Sequence, residues 1–211
     1  NRGVARYRKK DFAGATGDFN AAIRIRPALA EAYLNRAAAR REMGDPEGSL
    51  QDLNKAIALK SDFAAAFSNR GSLRHDMGDL DGALSDLDRA IQLDPRVFET
   101  FYLRGYARIA AKNFEGALED FNATIKLNPE MPLAYQGRGT AWMSLAKFDE
   151  AIADFTRAIE GDPHIVWAYF NRGLALLVKG QDQKAEEDFA KCLELKPELK
   201  ADLERRSALA R

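Results

Sequence analysis

An Arg followed by Gly or Ala stands at Arg2, Arg36, Arg70, Arg104, Arg138 and Arg172, and every step between them is 34 residues. Asn-Arg-Gly at residues 1–3 returns as Asn69-Arg70-Gly71 and Asn171-Arg172-Gly173. A strict period of this size, without an insertion, restricts the chain to an array of small units. Each unit is too short to bury its own core and must stack on its neighbours. Offsets below are counted from this Arg as zero.

Each unit reads as two helices. Gly44, Gly78 and Gly180 mark a first break; Pro27, Pro95, Pro129, Pro163 and Pro197 mark a second, with Ser61 as the exception. Gly just past a helix end and Pro beyond it are stop signals. Small residues recur at offset +1 (Gly3, Ala37, Gly71, Gly105, Gly139, Gly173), at +13 (Ala15 to Ala185, with Ser49) and at +20 (Ala22 to Cys192, with Thr124). Large ones recur at −3 (Tyr33, Phe67, Phe101, Tyr135, Tyr169) and at +17 (Phe19, Leu53, Leu87, Phe121, Phe155, Phe189). Gly within a helix costs about 1 kcal/mol against Ala, so its recurrence requires a close approach of two helices.

These aromatic, Gly, Ala, Phe, Ala and Pro columns resemble the tetratricopeptide repeat over essentially the whole chain. The resemblance implies an all-α fold, a right-handed α-solenoid of antiparallel helix pairs with a groove lined by the first helix of each pair. Its units would be 1–29 (incomplete at the N-terminus), 30–63, 64–97, 98–131, 132–165 and 166–199, with 200–211 a solvated capping helix. A chain that starts within a repeat and without Met leads to the expectation that its natural N-terminus lies upstream.

Asp18, Asp52, Asp86, Asp120, Asp154 and Asp188 put an Asp at +16 in every unit. Facing positions of an antiparallel pair have a nearly constant sum, and +1 with +13 and −3 with +17 set it. Offset 0 with +16 falls close to that line. The expectation is a half-exposed Arg–Asp pair clamping the two helices, six times over, and contributing about 0.2–1 kcal/mol each. A second Arg column, Arg6, Arg40, Arg74 and Arg108, is completed by Trp142 and Leu176. Its heads are expected to share the nearby Asp, with their stems on residues such as Phe12, Leu80 and Phe114; an anion-binding stripe is the alternative.

At about 100° per residue, offsets −5, −2, −1, +2, +5 and +6 fall in one arc opposite the packing columns. By resemblance that arc faces the groove. Asn1, Asn35, Asn69 and Asn171 occupy −1, interrupted by Leu103 and Gly137. An Asn amide can donate to and accept from a peptide backbone at once, and members of the family that transfer N-acetylglucosamine to proteins use such an Asn ladder. The arc is polar in the second and third units and apolar from the fourth to the sixth. The expected peptide-binding residues are Asn35, Asn69, Tyr102, Leu103, Tyr106, Ile109, Trp167, Phe170, Asn171 and Leu174; the alternative is that tight curvature or the capping helix already covers the apolar ones. Leu34/Ala38, Ser68/Ser72 and Tyr102/Tyr106 at −2 and +2 lack the Lys needed to clamp a free acidic C-terminus.

Lys and Arg number 32, as do Asp and Glu, so the formal net charge is zero and nothing attracts nucleic acid or an anionic membrane overall. No apolar run approaches a membrane span, and no signal pattern opens the chain. The single Cys192 excludes an internal disulfide and stands in a small-residue column as a buried, inert thiol. A cytoplasmic location is the expectation, with export as the alternative because the natural N-terminus is expected upstream. His75 and His164 are isolated, and no phosphate loop or Cys/His cluster is present. The reading is a non-enzymatic scaffold for a protein or peptide partner, without cofactor or metal, and with self-association open. Alternatives are the non-catalytic part of a larger enzyme and, against the charge balance, an RNA-binding repeat.

Overall fold

The computed structural model describes residues 1–210, which form thirteen α-helices and one 3-10 turn. They divide into two units, Asn1–Leu103 and the residues from Arg104 on. The first holds α1 (Arg2–Arg8), α2 (Phe12–Ile25), α3 (Ala30–Glu42), α4 (Pro46–Leu59), α5 (Ala64–Asp76), α6 (Leu80–Leu93) and the first half of α7 (Phe98–Ala110). The second holds the rest of α7, α8 (Phe114–Leu127), α9 (Pro132–Ser144), α10 (Phe148–Gly161), α11 (Val166–Val178), α12 (Asp182–Leu195), the turn Pro197–Leu199 and α13 (Lys200–Ala210).

The helix ends follow from the repeat. Asp11, Asp45, Asp79 and Asn113 accept from the backbone N–H three residues on, at Gly14, Gly48, Gly82 and Gly116, and so cap the second helix of their pairs. The break before each cap needs a left-handed residue. Gly44, Gly78 and Gly180 supply it at φ 75°, 83° and 70°, but Lys10, Lys112 and Ala146 adopt it at φ 60°, 59° and 55°. Tyr33 and Tyr135 each donate their hydroxyl to a Pro carbonyl at the second break, Pro27 (3.1 Å) and Pro129 (3.0 Å).

The small columns let the paired helices touch. A Cβ on Gly71 would lie 2.7 Å from Leu87 Cγ, and one on Gly139 would lie 2.8 Å from a Phe155 ring carbon. The core is these columns: Ala15, Ala83, Ala117, Ala151 and Ala185 are fully buried, as are Leu87, Phe121 and Phe155.

The zero-offset Arg grips its Asp in all six pairs. Arg36 Nε donates to Asp52 Oδ2 (2.8 Å) and its Nη2 to Oδ1 (2.5 Å); Arg70 with Asp86, Arg138 with Asp154 and Arg172 with Asp188 repeat the fork. Arg2 with Asp18 and Arg104 with Asp120 pair the same columns. The second Arg shares the carboxylate, as expected: Arg40 reaches Asp52 at 2.9 Å, Arg74 reaches Asp86 at 2.9 Å and Arg108 reaches Asp120 at 3.0 Å. The expected half-exposure is corrected. Asp52 is 3% exposed and Asp120 1%, because the Asp side chain starts inside the helix–helix interface and only the Arg heads approach solvent. These carboxylates are buried, doubly paired structural groups.

The same zero-offset guanidinium has a third partner. Arg36, Arg70 and Arg138 donate Nη1 to Asn20 (2.6 Å), Asn54 (2.7 Å) and Asn122 (2.7 Å) of the preceding pair, and Arg172 donates to Thr156 (3.0 Å). The guanidinium also lies over its own −3 ring, at 5.4 Å for Arg36 on Tyr33 and 5.5 Å for Arg70 on Phe67. One Arg therefore fixes three things: the pair, the aromatic beside it and the pair before.

Candidate functional site

In the first unit the groove columns lie on α3, α5 and the start of α7. Asn35 donates Nδ2 to the carbonyl of Glu31 and Asn69 does the same to Ala65, each at 2.8 Å. This back-bond to the preceding turn fixes the amide plane on the helix surface. It uses one N–H and leaves the second N–H and the oxygen for another partner. Arg41 donates to Ser72 Oγ (3.1 Å) and pairs with Asp76, and Thr100 donates to Ser68 Oγ (3.3 Å). Polar bonds thus join the inner columns of successive first helices. Tyr102 and Leu103 are half-buried at the end of this face.

The second unit is different. Tyr106 is half-buried: its hydroxyl donates to Gln136 Oε1 (3.1 Å) and its ring meets Phe121 edge-on at 5.3 Å. Ile109 and Asn171 are half-buried, and Trp167 stays 42% exposed with its ring 5.3 Å from Phe170. Gly137, in the Asn column, is pressed against the Phe121 ring, where no side chain fits.

Phe170 and Leu174 are corrected. They are 0% and 5% exposed, and Leu177 beside them is 5% exposed. The cover is α13, whose Leu203 is buried in the same cluster with Leu199 packed against it. Arg206 of α13 places its guanidinium 5.5 Å from the Phe170 ring centre. The apolar character of this column serves an internal helix, so α13 is a packed element on α11 and more than a solvated cap.

In this unit the shifted groups Arg138, Arg172 and Cys192 lie in the helix–helix clamps and the core. Hydrogen bonds that they donate to Asp52, Asp154 and Asp188 hold Arg36, Arg138 and Arg172 above the ordinary guanidinium range. Burial pushes the Cys192 thiol up, as in an inert core cysteine. Among the described residues no group of His, Cys, Asp and Glu could hold a metal ion. No helix among them is long and apolar enough to cross a membrane.

Helix pairs recurring every 34 residues, locked by the same columns, define an all-α helical-repeat protein, a solenoid of antiparallel hairpins. The tetratricopeptide repeat profiles match residues 34–98, 69–132 and 102–164 in one form and 166–199 in another, and the chain belongs to the tetratricopeptide repeat family. Members of this family serve in general in protein–protein interaction. No curated protein matches by sequence. Among solved structures, MamA is 27% identical with a TM-score of 0.69, covering 79% of this chain and 96% of its own. YrrB, described as a TPR protein with an unusual peptide-binding site, is 24% identical (TM-score 0.70; 85% and 92% covered). PilF of Pseudomonas aeruginosa is 19% identical (TM-score 0.83; 92% and 89% covered).

Proposed function

We propose that the chain is a scaffold of six repeats, bounded as in the sequence reading, that holds an extended segment of a partner protein by its backbone. The observation that carries this reading is the pair Asn35 and Asn69. They occupy equivalent positions on α3 and α5, each oriented by its own helix and each with amide capacity left over. Two such amides in register suit a main chain, which offers a donor and an acceptor at every residue. Tyr102 and Leu103 supply apolar contact beside them. Tyr106, Ile109, Trp167 and Asn171 are the corresponding residues of the second unit; Phe170 and Leu174 leave the set because α13 covers them. YrrB shares the fold and has a peptide-binding site of its own, which supports the class of ligand and not the residues.

The test is a linear peptide library panned against the full chain and against the Asn35→Ala, Asn69→Ala double variant. Peptides retained by the first and lost by the second, with unchanged melting of the variant, support the reading. Peptides retained equally by both sink it.

A further inference from the structure

In the first four repeats the Asp at this place takes a second guanidinium, and the surroundings of that guanidinium recur. Arg108 donates to the carbonyl of Gly116 (2.7 Å) and lies 3.0 Å from Asp120 and 3.7 Å from Glu119. Arg40 and Arg74 likewise donate to the Gly48 carbonyl (3.0 Å) and the Gly82 carbonyl (3.3 Å) while holding Asp52 and Asp86. These sites open to solvent, since the three Arg side chains are 26%, 27% and 19% exposed.

The pair α11–α12 keeps the acceptors and lacks the Arg. Glu187-Asp188-Phe189 repeats Glu119-Asp120-Phe121, and the backbone carbonyl of Lys184 occupies the place of the Gly116 carbonyl in the repeat. Leu176, buried, stands where Arg108 stands. Among the described residues Glu187 makes no ion pair, and Asp188 is held by Arg172 alone. An open pocket of about 260 Å³ lies here, lined by Arg172, Leu176, Gln181, Lys184, Glu187 and Asp188.

We propose that this pocket is a socket for the guanidinium of an arginine side chain carried by a partner protein. The guanidinium nearest the pocket is already engaged, while Lys184, exposed at its rim, commits one of its three N–H groups to Gln181 (3.1 Å). Every nitrogen of Arg172 donates, Nε and Nη2 to Asp188 and Nη1 to Thr156. The spare acceptors are the second lone pair of Asp188 Oδ2, the Glu187 carboxylate and the second lone pair of the Lys184 carbonyl in the first turn of α12. That set matches a planar fork of donors better than a point charge. The pair α9–α10 offers no such set, because Trp142 fills the Arg column and Ala153 replaces the Glu. Offsets 0 and +4 lie opposite the groove arc, so the socket is independent of the peptide groove.

The test is an NMR titration of the labelled full chain with N-acetyl-arginine amide and with its lysine and citrulline counterparts. Shifts are expected at the Leu176 methyls, the Arg172 Nε–H and the amides of 181–188, with the arginine compound bound about tenfold more tightly than the uncharged citrulline compound. Leu176→Arg supplies the guanidinium internally and is expected to abolish binding and raise the melting temperature. Should that variant not fold, Glu187→Gln, on an exposed side chain, is expected to weaken binding with the fold intact. Equal affinity for citrulline or for lysine overturns the proposal. So does unchanged binding by folded Glu187→Gln, the absence of shifts, or shifts at Asn171 and Trp167 in place of the socket.

Discussion

The Arg40 guanidinium lies 2.9 Å from Asp52, on a carboxylate that Arg36 already grips from the preceding turn of α3. One buried negative charge therefore holds two cations, and removing it leaves both facing each other in a poorly solvated site. Asp52→Ala is expected to cost about 3–5 kcal/mol, the range for breaking a buried pair from one side. Urea denaturation measures it, and a loss below about 1 kcal/mol would show the cluster to be energetically idle. Asp18→Ala is expected to cost far less, because its partner Arg2 is 75% exposed.

Ala146 takes the left-handed conformation (φ 55°) that Gly44, Gly78 and Gly180 take at the same place in their repeats. That conformation costs an L-residue about 1–2 kcal/mol, while Gly adds freedom to the unfolded chain. Ala146→Gly is expected to stabilise by about 0.5–1 kcal/mol net, and Lys112→Gly to do the same. A fall in the urea midpoint for both would mean that the αL strain is relieved elsewhere.

The Arg–Asp clamp was legible because antiparallel pairing turns a 34-residue period into a ruler: one confirmed facing pair locates the others. Burial of the Asp was not, since the ruler gives partners and not depth. The Asn20, Asn54 and Asn122 acceptors form a visible column, with Asp88 at the same place, but they serve the following repeat, and the pairing rule looks only within one. Phe170 and Leu174 lie on the face of α11 that packs with α13. What covers that face is decided by α13, at the end of the array where the repeat no longer supplies a neighbour, so periodicity is silent there. Arg108, Asn113 and Gly116 also belong together, and Trp142, Lys147 and Glu150 replace all three in the next repeat. The Arg bonds the Gly carbonyl that the cap next to it positions, a coupling that column-by-column reading separates.

Leu203 is the apolar residue with which α13 reaches the Phe170 cluster. Leu203→Ala is expected to undock α13 without unfolding the repeats, because the cost of about 2–5 kcal/mol for a buried Leu falls on a terminal helix. Undocking would expose Phe170, Leu174 and Leu177, seen as dye binding and as faster reaction of Cys192, whose thiol lies in the same cluster. Unchanged dye binding and thiol reactivity would mean that α13 contributes nothing to the cover.

Acid is expected to loosen the two ends first. The hydrogen bond from Arg2 holds the Asp18 carboxyl below the ordinary range, and that from Arg205 does so for Asp202 in α13. A carboxyl whose folded pKa is depressed favours the folded form above its unfolded pKa of about 3.9. That contribution is lost as pH falls through the lower folded value. Asp94, lowered by Arg96 two residues away, has the same sign but ties together only one turn. Amide-exchange protection in α1, α2 and α13 should therefore decline between about pH 4 and pH 2, while α4 and α5 persist. High salt should weaken the effect, since these pairs are exposed. Asp202→Asn should remove the pH dependence of α13 and leave that of α1–α2. Loss of protection in α4 or α5 before either end would show that acid acts through the buried clamps and not through the exposed pairs.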